Sequence, residues 1–281
     1  PDSFLTMKPW AKELCDELGL SDRLIPTQSR KVHLWTGGRL HEMPEGLYLT
    51  VPTKWGPFLS TKILSFTGKL RMAMDLILPR GPEVEDESIG SFIRRRLGEE
   101  ALIKLAEPIM AGIHVASADE VSLKSTFPRF MDLEREHRSL IKAFRKAPPP
   151  KGNVSPFLSL RGGMQELVER LVERLRGVTF LEGREATALA ASGAGWKVRV
   201  GGEELEADRV VLALPAPAAS RLLQELPVVR YVSTMTVSLC YPGPAPQEGT
   251  GFVIPRTEGR RILACTWSSN KFEGRAPAGR F

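Results

Sequence analysis

The run Pro148-Pro149-Pro150-Lys151-Gly152 divides this chain into two regimes of hydrophobic pattern. Its prolines fix φ and donate no hydrogen bonds, so the run reads as an extended linker. From about residue 50 to residue 147, apolar residues recur at three- and four-residue spacing, most clearly over 58–78 and 91–110. That spacing predicts amphipathic helices, with the acidic run Glu83–Glu87 as a loop between them.

Beyond the linker the pattern changes. Residues 164–176 predict a helix with Leu167, Val168, Leu171, Val172 and Leu175 on one face and Gly177 as its stop. A short strand follows at 178–182. Residues 196–200 and 203–207 pair about Gly201-Gly202 as a hairpin. The near-continuous apolar run at 209–214 is that of a parallel strand buried on both faces. Three more strands are expected at 229–241, 251–254 and 261–267. Ahead of the helical region, residues 8–18 predict a helix with Pro9 in its first turn and Gly19 as its stop. Residues 31–40 predict a hairpin turning at Thr36-Gly37-Gly38.

A chain of 281 residues can bury a large core and form two or more domains. No apolar run approaches the roughly 18–20 residues of a membrane span. Cys15, Cys240 and Cys265 are odd in number and far apart, which argues for a reducing compartment and against a disulfide framework. His33, His41, His114 and His137 lack metal-ligand spacing, so no metal site is expected. The net charge of +6 suits either a solvated basic surface or an anionic partner. Nucleic acid is not expected, because Arg94-Arg95-Arg96 is followed by Glu99 and Glu100 and no aromatic residues alternate with basic ones.

The ordered segments Leu40-His41-Glu42-Met43-Pro44-Glu45-Gly46-Leu47, Ser91-Phe92-Ile93-Arg94-Arg95-Arg96-Leu97-Gly98, Ala111-Gly112-Ile113-His114, Ser122-Leu123-Lys124-Ser125-Thr126-Phe127-Pro128 and Ser159-Leu160-Arg161-Gly162-Gly163-Met164 carry a family resemblance. With Pro1-Asp2-Ser3-Phe4-Leu5 and Gly249-Thr250-Gly251-Phe252-Val253-Ile254-Pro255, they resemble the flavin-dependent porphyrinogen oxidases of haem synthesis over essentially the whole chain. The nearer likeness is to the bacterial type that acts on coproporphyrinogen III.

The resemblance implies an α/β (α+β) fold: part of a glutathione-reductase-type FAD-binding domain, a β-rich substrate domain and a mainly helical lobe. The expected division is 1–39, substrate-domain start and end of an FAD region; 40–150, the helical lobe; 151–222, partial FAD-binding domain; and 223–281, partial substrate domain. The family's upstream strand, Gly-rich turn and helix would hold the FAD pyrophosphate. No G-x-G-x-x-G occurs here, so the chain reads as an internal stretch of a longer protein.

The implied activity is an FAD-dependent six-electron oxidation of coproporphyrinogen III to coproporphyrin III. Each two-electron step takes a hydride from a bridging CH2 and a proton from a pyrrole nitrogen, with O2 as acceptor. The alternatives are a protoporphyrinogen oxidase and a non-catalytic porphyrin-binding module. A cytoplasmic location is implied, and peripheral membrane contact through the helical lobe stays open. No Ser/His/Asp set, carboxylate pair or nucleophilic cysteine motif is evident, which accords with chemistry carried by a flavin, and no catalytic residue is assigned.

Substrate-binding candidates implied by the resemblance are Asp2, Lys8, Gly112, Val253 and Cys265. Lys8 would pair with a propionate, although a solvated first-turn lysine fits the same residues. Asp2 would bond pyrrole N–H groups, or else serve a turn or N-cap. Gly112 would let backbone approach the substrate, and a helix C-terminus accounts for it equally. Val253 and Cys265 would flank the macrocycle from adjacent strands, or be sheet core. Cofactor-binding candidates are Gly163 at a helix start, Ala186 after the 178–182 strand, Ala213 and Pro215 at the end of the 209–214 strand, and Trp267.

Overall fold

The computed structural model describes residues 2–48, 50–146, 155–223, 225–227 and 229–281. The linker expected at 148–152 lies outside them. The chain divides into two compact units, Pro1–Leu171 with Thr236–Phe281, and Val172–Met235.

The larger unit holds a helical core. Helices Trp55–Ser60, Phe66–Ala73, Ile89–Leu97, Glu107–His114, Pro128–His137 and Leu140–Lys146 surround Phe58, Met72, Phe92, Leu97, Leu105, Leu140, Ile141 and Phe144, all of them buried. The starts of two helices are set by serines. Ser65 Oγ accepts from Gly68 N at 2.9 Å, and Ser88 Oγ accepts from Ser91 N at 3.0 Å. The Ser65 cap is one reason the helix expected over 58–78 is broken in two.

The helix expected over 91–110 also breaks. Gly98, at φ 96°, ends Ile89–Leu97, and a new helical stretch runs from Glu99 to His114. Leu102–Ala106 within it is a π-helical turn. Pro108 lies just downstream; it has no N–H to donate, and its ring crowds the carbonyl four residues back. A widened turn at that place relieves the clash without ending the helix.

A buried ion pair ties this core together. Arg96 and Asp75 are 1% and 0% exposed. Arg96 Nε donates to Asp75 Oδ1 at 2.8 Å, and Asp75 Oδ2 accepts from Ser139 Oγ at 2.7 Å and Ile141 N at 3.0 Å. Arg96 also donates to the carbonyls of Pro79 and Arg138, so its N–H groups are largely satisfied.

Among the described residues the same unit contains three small sheets. Strands β1 (Phe4–Leu5), β7 (Phe157–Leu160) and β2 (Leu24–Pro26) form one, in that order. The helix Trp10–Glu17 packs here through Leu14 and Cys15, and Leu167 and Leu171 of the helix Gln165–Arg174 join the same cluster. Strands β5 (Leu47–Tyr48) and β6 (Val51–Pro52) pair with each other. The third sheet has the order β12 (Ala264–Thr266), β11 (Gly251–Val253), β3 (His33–Thr36), β4 (Arg39–Glu42). The β3–β4 hairpin turns at Gly37 and Gly38, with φ 59° and 78°, where two successive positive φ values favour glycine.

The smaller unit is an antiparallel sheet of β8 (Ala186–Ser192), β9 (Gly195–Val200) and β10 (Glu203–Ala207), with the helix Ala216–Leu222. Gly201 and Gly202, at φ 58° and 92°, make the expected turn. Strand β8 is not among the sequence expectations: its Ala-rich run has low strand propensity and is recruited by pairing to β9. The strands expected at 178–182 and 209–214 do not form a ladder with any described segment. Val211 is 89% exposed rather than buried. The strand expected at 229–241 likewise has no ladder; only its end, Tyr241, exchanges backbone bonds with Phe281, at 3.0 and 3.1 Å. Extended apolar backbone becomes a strand only beside a partner, and periodicity cannot show whether the partner is present.

Candidate active site

The helix Glu107–His114 packs against β11, and Gly112 in its last turn faces Val253. A Cβ built on Gly112 would lie 3.7 Å from Val253 Cγ1, an ordinary contact, with nothing else within 4 Å. Gly112 is exposed and in ordinary helical conformation. Neither backbone conformation nor crowding therefore requires a glycine here, although glycine in a helix costs roughly 0.5–1 kcal/mol relative to alanine. The position leaves open space on the helix surface beside an apolar strand residue.

Register assigns the neighbours of this site. Val253 pairs with Leu34 of β3 and Ala264 of β12, while Phe252 pairs with His33 and Cys265. Paired residues share a face and successive residues alternate. Val253 thus packs with Leu34 toward the helical core. Phe252, His33 and Cys265 lie on the opposite face. There Trp35, Phe252, Trp267 and His33 form a chain of rings, with centroid separations of 6.3 Å, 6.0 Å and 5.8 Å in that order. Gly112 and Val253 are brought together, whereas Val253 and Cys265 are divided between the two faces. Adjacent strands suggested one wall, but a one-residue offset in register sends the side chains to opposite sides. Burial pushes the Cys265 thiol above its usual range, which suits a packing role and not a nucleophile.

Asp2 is engaged within the protein. Its Oδ2 accepts from Lys271 Nζ at 2.8 Å and its Oδ1 from Ser3 Oγ at 2.8 Å. Burial works to raise its pKa, but the bonds from Lys271 and Ser3 outweigh it and hold the carboxyl below the usual aspartate range. Lys8 is exposed, its ammonium 5.8 Å from the centroid of the exposed Trp10 ring. Lys271 as the partner of Asp2 was not legible in the sequence, since the two are 269 residues apart and neither lies in a motif. The ring chain through Trp35 and Phe252 was equally hidden, because it depends on the parallel pairing of β3 with β11.

The residues implied for a flavin are distributed over both units. Gly163 and Trp267 belong to the larger unit, and Ala186, Ala213 and Pro215 to the smaller. Gly163 has φ 94° at the start of the helix Gln165–Arg174, a conformation that requires glycine. The preceding Gly162 N–H donates to Glu166 Oε2 at 2.8 Å, and Glu166 Oε1 accepts from Arg23 Nε at 2.6 Å. The bond from Arg23 holds the Glu166 carboxyl below the usual glutamate range. Ala186 starts β8 opposite Val200 beside a bulge, and Pro215 O accepts the first bonds of the helix Ala216–Leu222 from Ala218 N and Ala219 N. Ala213 is exposed, outside any helix or strand.

The profile of the family described as flavin containing amine oxidoreductase matches residues 1–280. Over its full length the chain is 37% identical to a Bacillus subtilis protein named coproporphyrinogen III oxidase, and it covers 63% of that protein. It is 34% identical, over 92% of its length, to the human protein named protoporphyrinogen oxidase, and covers 59% of it. A crystal structure from Exiguobacterium, of a protein provisionally named protoporphyrinogen oxidase, superposes with a TM-score of 0.82 at 27% identity, over 99% of this chain and 63% of that one. Reduced UDP-galactopyranose mutase superposes with a TM-score of 0.61 at 14% identity, over the whole chain and 60% of its own, a likeness of fold alone. The chain thus spans about three fifths of the length of these curated relatives.

Proposed function

Because the chain belongs to the flavin-containing amine oxidoreductase family, we propose that the whole protein is an FAD-dependent oxidase that converts coproporphyrinogen III to coproporphyrin III with O2 as acceptor. The observation that carries this reading is the open face at Gly112 beside Val253, in a chain 37% identical throughout to a protein named for that substrate. When bound, the flavin supplies the hydride acceptor. This chain's own residues contribute an apolar substrate face, with Gly112 giving the macrocycle close access to backbone. Trp267 and Cys265 lie on the other face of the same sheet, and Trp267 packs there against Phe252 and His33.

Lys8 is proposed to meet a propionate, since among the described residues its ammonium carries no hydrogen-bonded carboxylate partner, and it lies at the surface. Protoporphyrinogen is the second reading, favoured by the 34% identity to the human protein named for it. Relative turnover of the two porphyrinogens by the FAD-loaded whole protein, followed by porphyrin fluorescence, decides between them. Coproporphyrinogen III should be the better substrate.

Membrane contact is a further part of this reading. Phe66, Leu70, Met74 and Ile77 follow at four- and three-residue intervals, and Phe66 is 82% exposed. Lys69 Nζ donates to Leu59 O at 2.7 Å, joining the helix of Phe66 to exposed Leu59. The proposed contact is peripheral, through this exposed apolar stripe; among the described residues no helix is long and apolar enough to cross a membrane. Co-sedimentation with liposomes tests it: wild type should bind and Phe66→Ser with Leu70→Ser should not.

A further inference from the structure

We propose that Arg256 is a positioning residue, one that fixes the C-terminal end of the Glu107–His114 helix and so holds Gly112 at the substrate face. The proposal rests on the porphyrinogen-oxidase reading above for its kinetic consequence, but not for its structural one.

Val115, which closes that helix, has φ 61° and ψ −20°. A left-handed cap normally goes to glycine, and a β-branched residue there is strained. Such a residue persists only where its surroundings hold it. Two bonds do so. Val115 N donates to Ala111 O at 3.1 Å, closing the last turn. Val115 O accepts from Arg256 Nη2 at 2.9 Å. The same guanidinium lies 3.6 Å, Nε to Oε1, from Glu107 in the first turn of the helix. One side chain thus engages the helix at both ends.

Arg256 is itself firmly based. It opens the turn Arg256–Glu258, which follows β11 after Ile254 and Pro255 and ends at Gly259 with φ 63°. Glu258 in this turn accepts from Thr36 Oγ1 at 2.6 Å and from Gly37 N at 3.1 Å, anchoring it to the tip of the β3–β4 hairpin. The turn therefore connects the sheet bearing Val253 to the helix bearing Gly112. Gly112 lies three residues before the strained cap, in the turn that Val115 N closes. Loss of the Arg256 bond would let Val115 relax toward ordinary dihedrals and carry the last helical turn with it, and Gly112 would shift against Val253.

The test uses the FAD-loaded whole protein and the variants Arg256→Gln, Arg256→Lys, Val115→Gly and the double variant Arg256→Gln with Val115→Gly. In Arg256→Gln the KM for coproporphyrinogen III should rise about five- to tenfold while kcat stays within about twofold and flavin absorbance is unchanged, because ground-state placement is lost and not chemistry. Arg256→Lys, which keeps a charge toward Glu107 but not the fork, should give an intermediate KM, and it carries the test if Arg256→Gln does not fold. Glycine accepts the left-handed cap without strain, so Val115→Gly in the Arg256→Gln background should bring KM back to within about twofold of wild type. An unchanged KM in both single arginine variants, or no recovery in the double variant, overturns the proposal. Hydrogen exchange at the amides of 111–117 is read in parallel. It should quicken in Arg256→Gln and return in the double variant, and unchanged protection overturns the proposal even if wild type turns over neither porphyrinogen, an outcome that by itself refutes only the porphyrinogen-oxidase reading.

Discussion

Gly112 and Val253 face one another across the junction of helix and sheet, with 3.7 Å between Val253 Cγ1 and the place a Gly112 Cβ would take. Alanine fits there without displacing anything in the protein. Gly112→Ala should therefore leave the fold intact and raise its stability by roughly 0.5–1 kcal/mol, as expected for glycine replaced in a helix. The KM for porphyrinogen should rise about tenfold or more if substrate approaches this backbone closely. Thermal melting and steady-state kinetics of the same preparation separate the two effects. A stabilised protein with unchanged KM would reduce Gly112 to a helix-end residue.

Lys8 gives a second test of the substrate face. A charge-assisted bond to a propionate contributes about 1.5–3 kcal/mol, so Lys8→Ala should lower kcat/KM for coproporphyrinogen III about ten- to a hundredfold. Lys8→Arg should retain more activity. Values for Lys8→Ala within about twofold of wild type would leave Lys8 as a surface lysine over Trp10.

The Arg96–Asp75 pair predicts where the helical lobe is most sensitive. Asp75→Asn leaves a fully buried guanidinium with Glu134, 3.5 Å from its Nη1 and already bonded to Arg95, as its remaining counter-charge, and removing one partner of such a pair typically costs about 3–5 kcal/mol. Denaturant melts should show a loss of that size. A change within about 0.5 kcal/mol, the usual range for surface substitutions, would mean that Glu134 and the carbonyl partners suffice to hold Arg96.

Acid sensitivity follows from Glu134. Burial favours its neutral form, but Arg95 donates to both carboxylate oxygens at 2.6 Å, Gly81 N donates at 3.0 Å, and the pKa is held below the usual range. A carboxyl whose pKa is lower folded than unfolded adds stability that is fully present above the unfolded value, about 4.3 for glutamate, and is lost as pH falls through the folded value. Stability should decline below about pH 4.3 and less steeply in Glu134→Gln, measured by melts across pH 3 to 6. Parallel declines in the two proteins would assign the acid sensitivity to other carboxylates.

The sequence was informative where a local rule decides conformation. Gly37-Gly38 and Gly201-Gly202 declare their hairpins because successive positive φ values are almost the preserve of glycine. The helix Gln165–Arg174 was readable from apolar spacing alone. Long-range pairing was hidden. Arg94, Arg95 and Arg96 look like one basic patch, yet a helix rotates about 100° per residue and sends them to separate partners. Arg94 meets Glu99 and Asp119, Arg95 meets Glu87 and Glu134, and Arg96 enters the core to meet Asp75. The apolar runs at 178–182 and 209–214 read as strands because of composition, but only a neighbouring strand makes them so. At the site, Gly112 could be singled out by the family resemblance. The split of Val253 from Cys265 could not, since it depends on the register of β11 with β12.

The central claim is the identity of the substrate. The FAD-loaded whole protein should be given coproporphyrinogen III and protoporphyrinogen IX in air, with porphyrin fluorescence and hydrogen peroxide followed together. Coproporphyrin III should form with three peroxides per porphyrin, as a six-electron oxidation by O2 requires, and with kcat/KM about tenfold or more above that for protoporphyrinogen IX. Turnover of protoporphyrinogen IX in preference would contradict the substrate assignment, and oxidation of neither would contradict the porphyrinogen-oxidase reading as a whole.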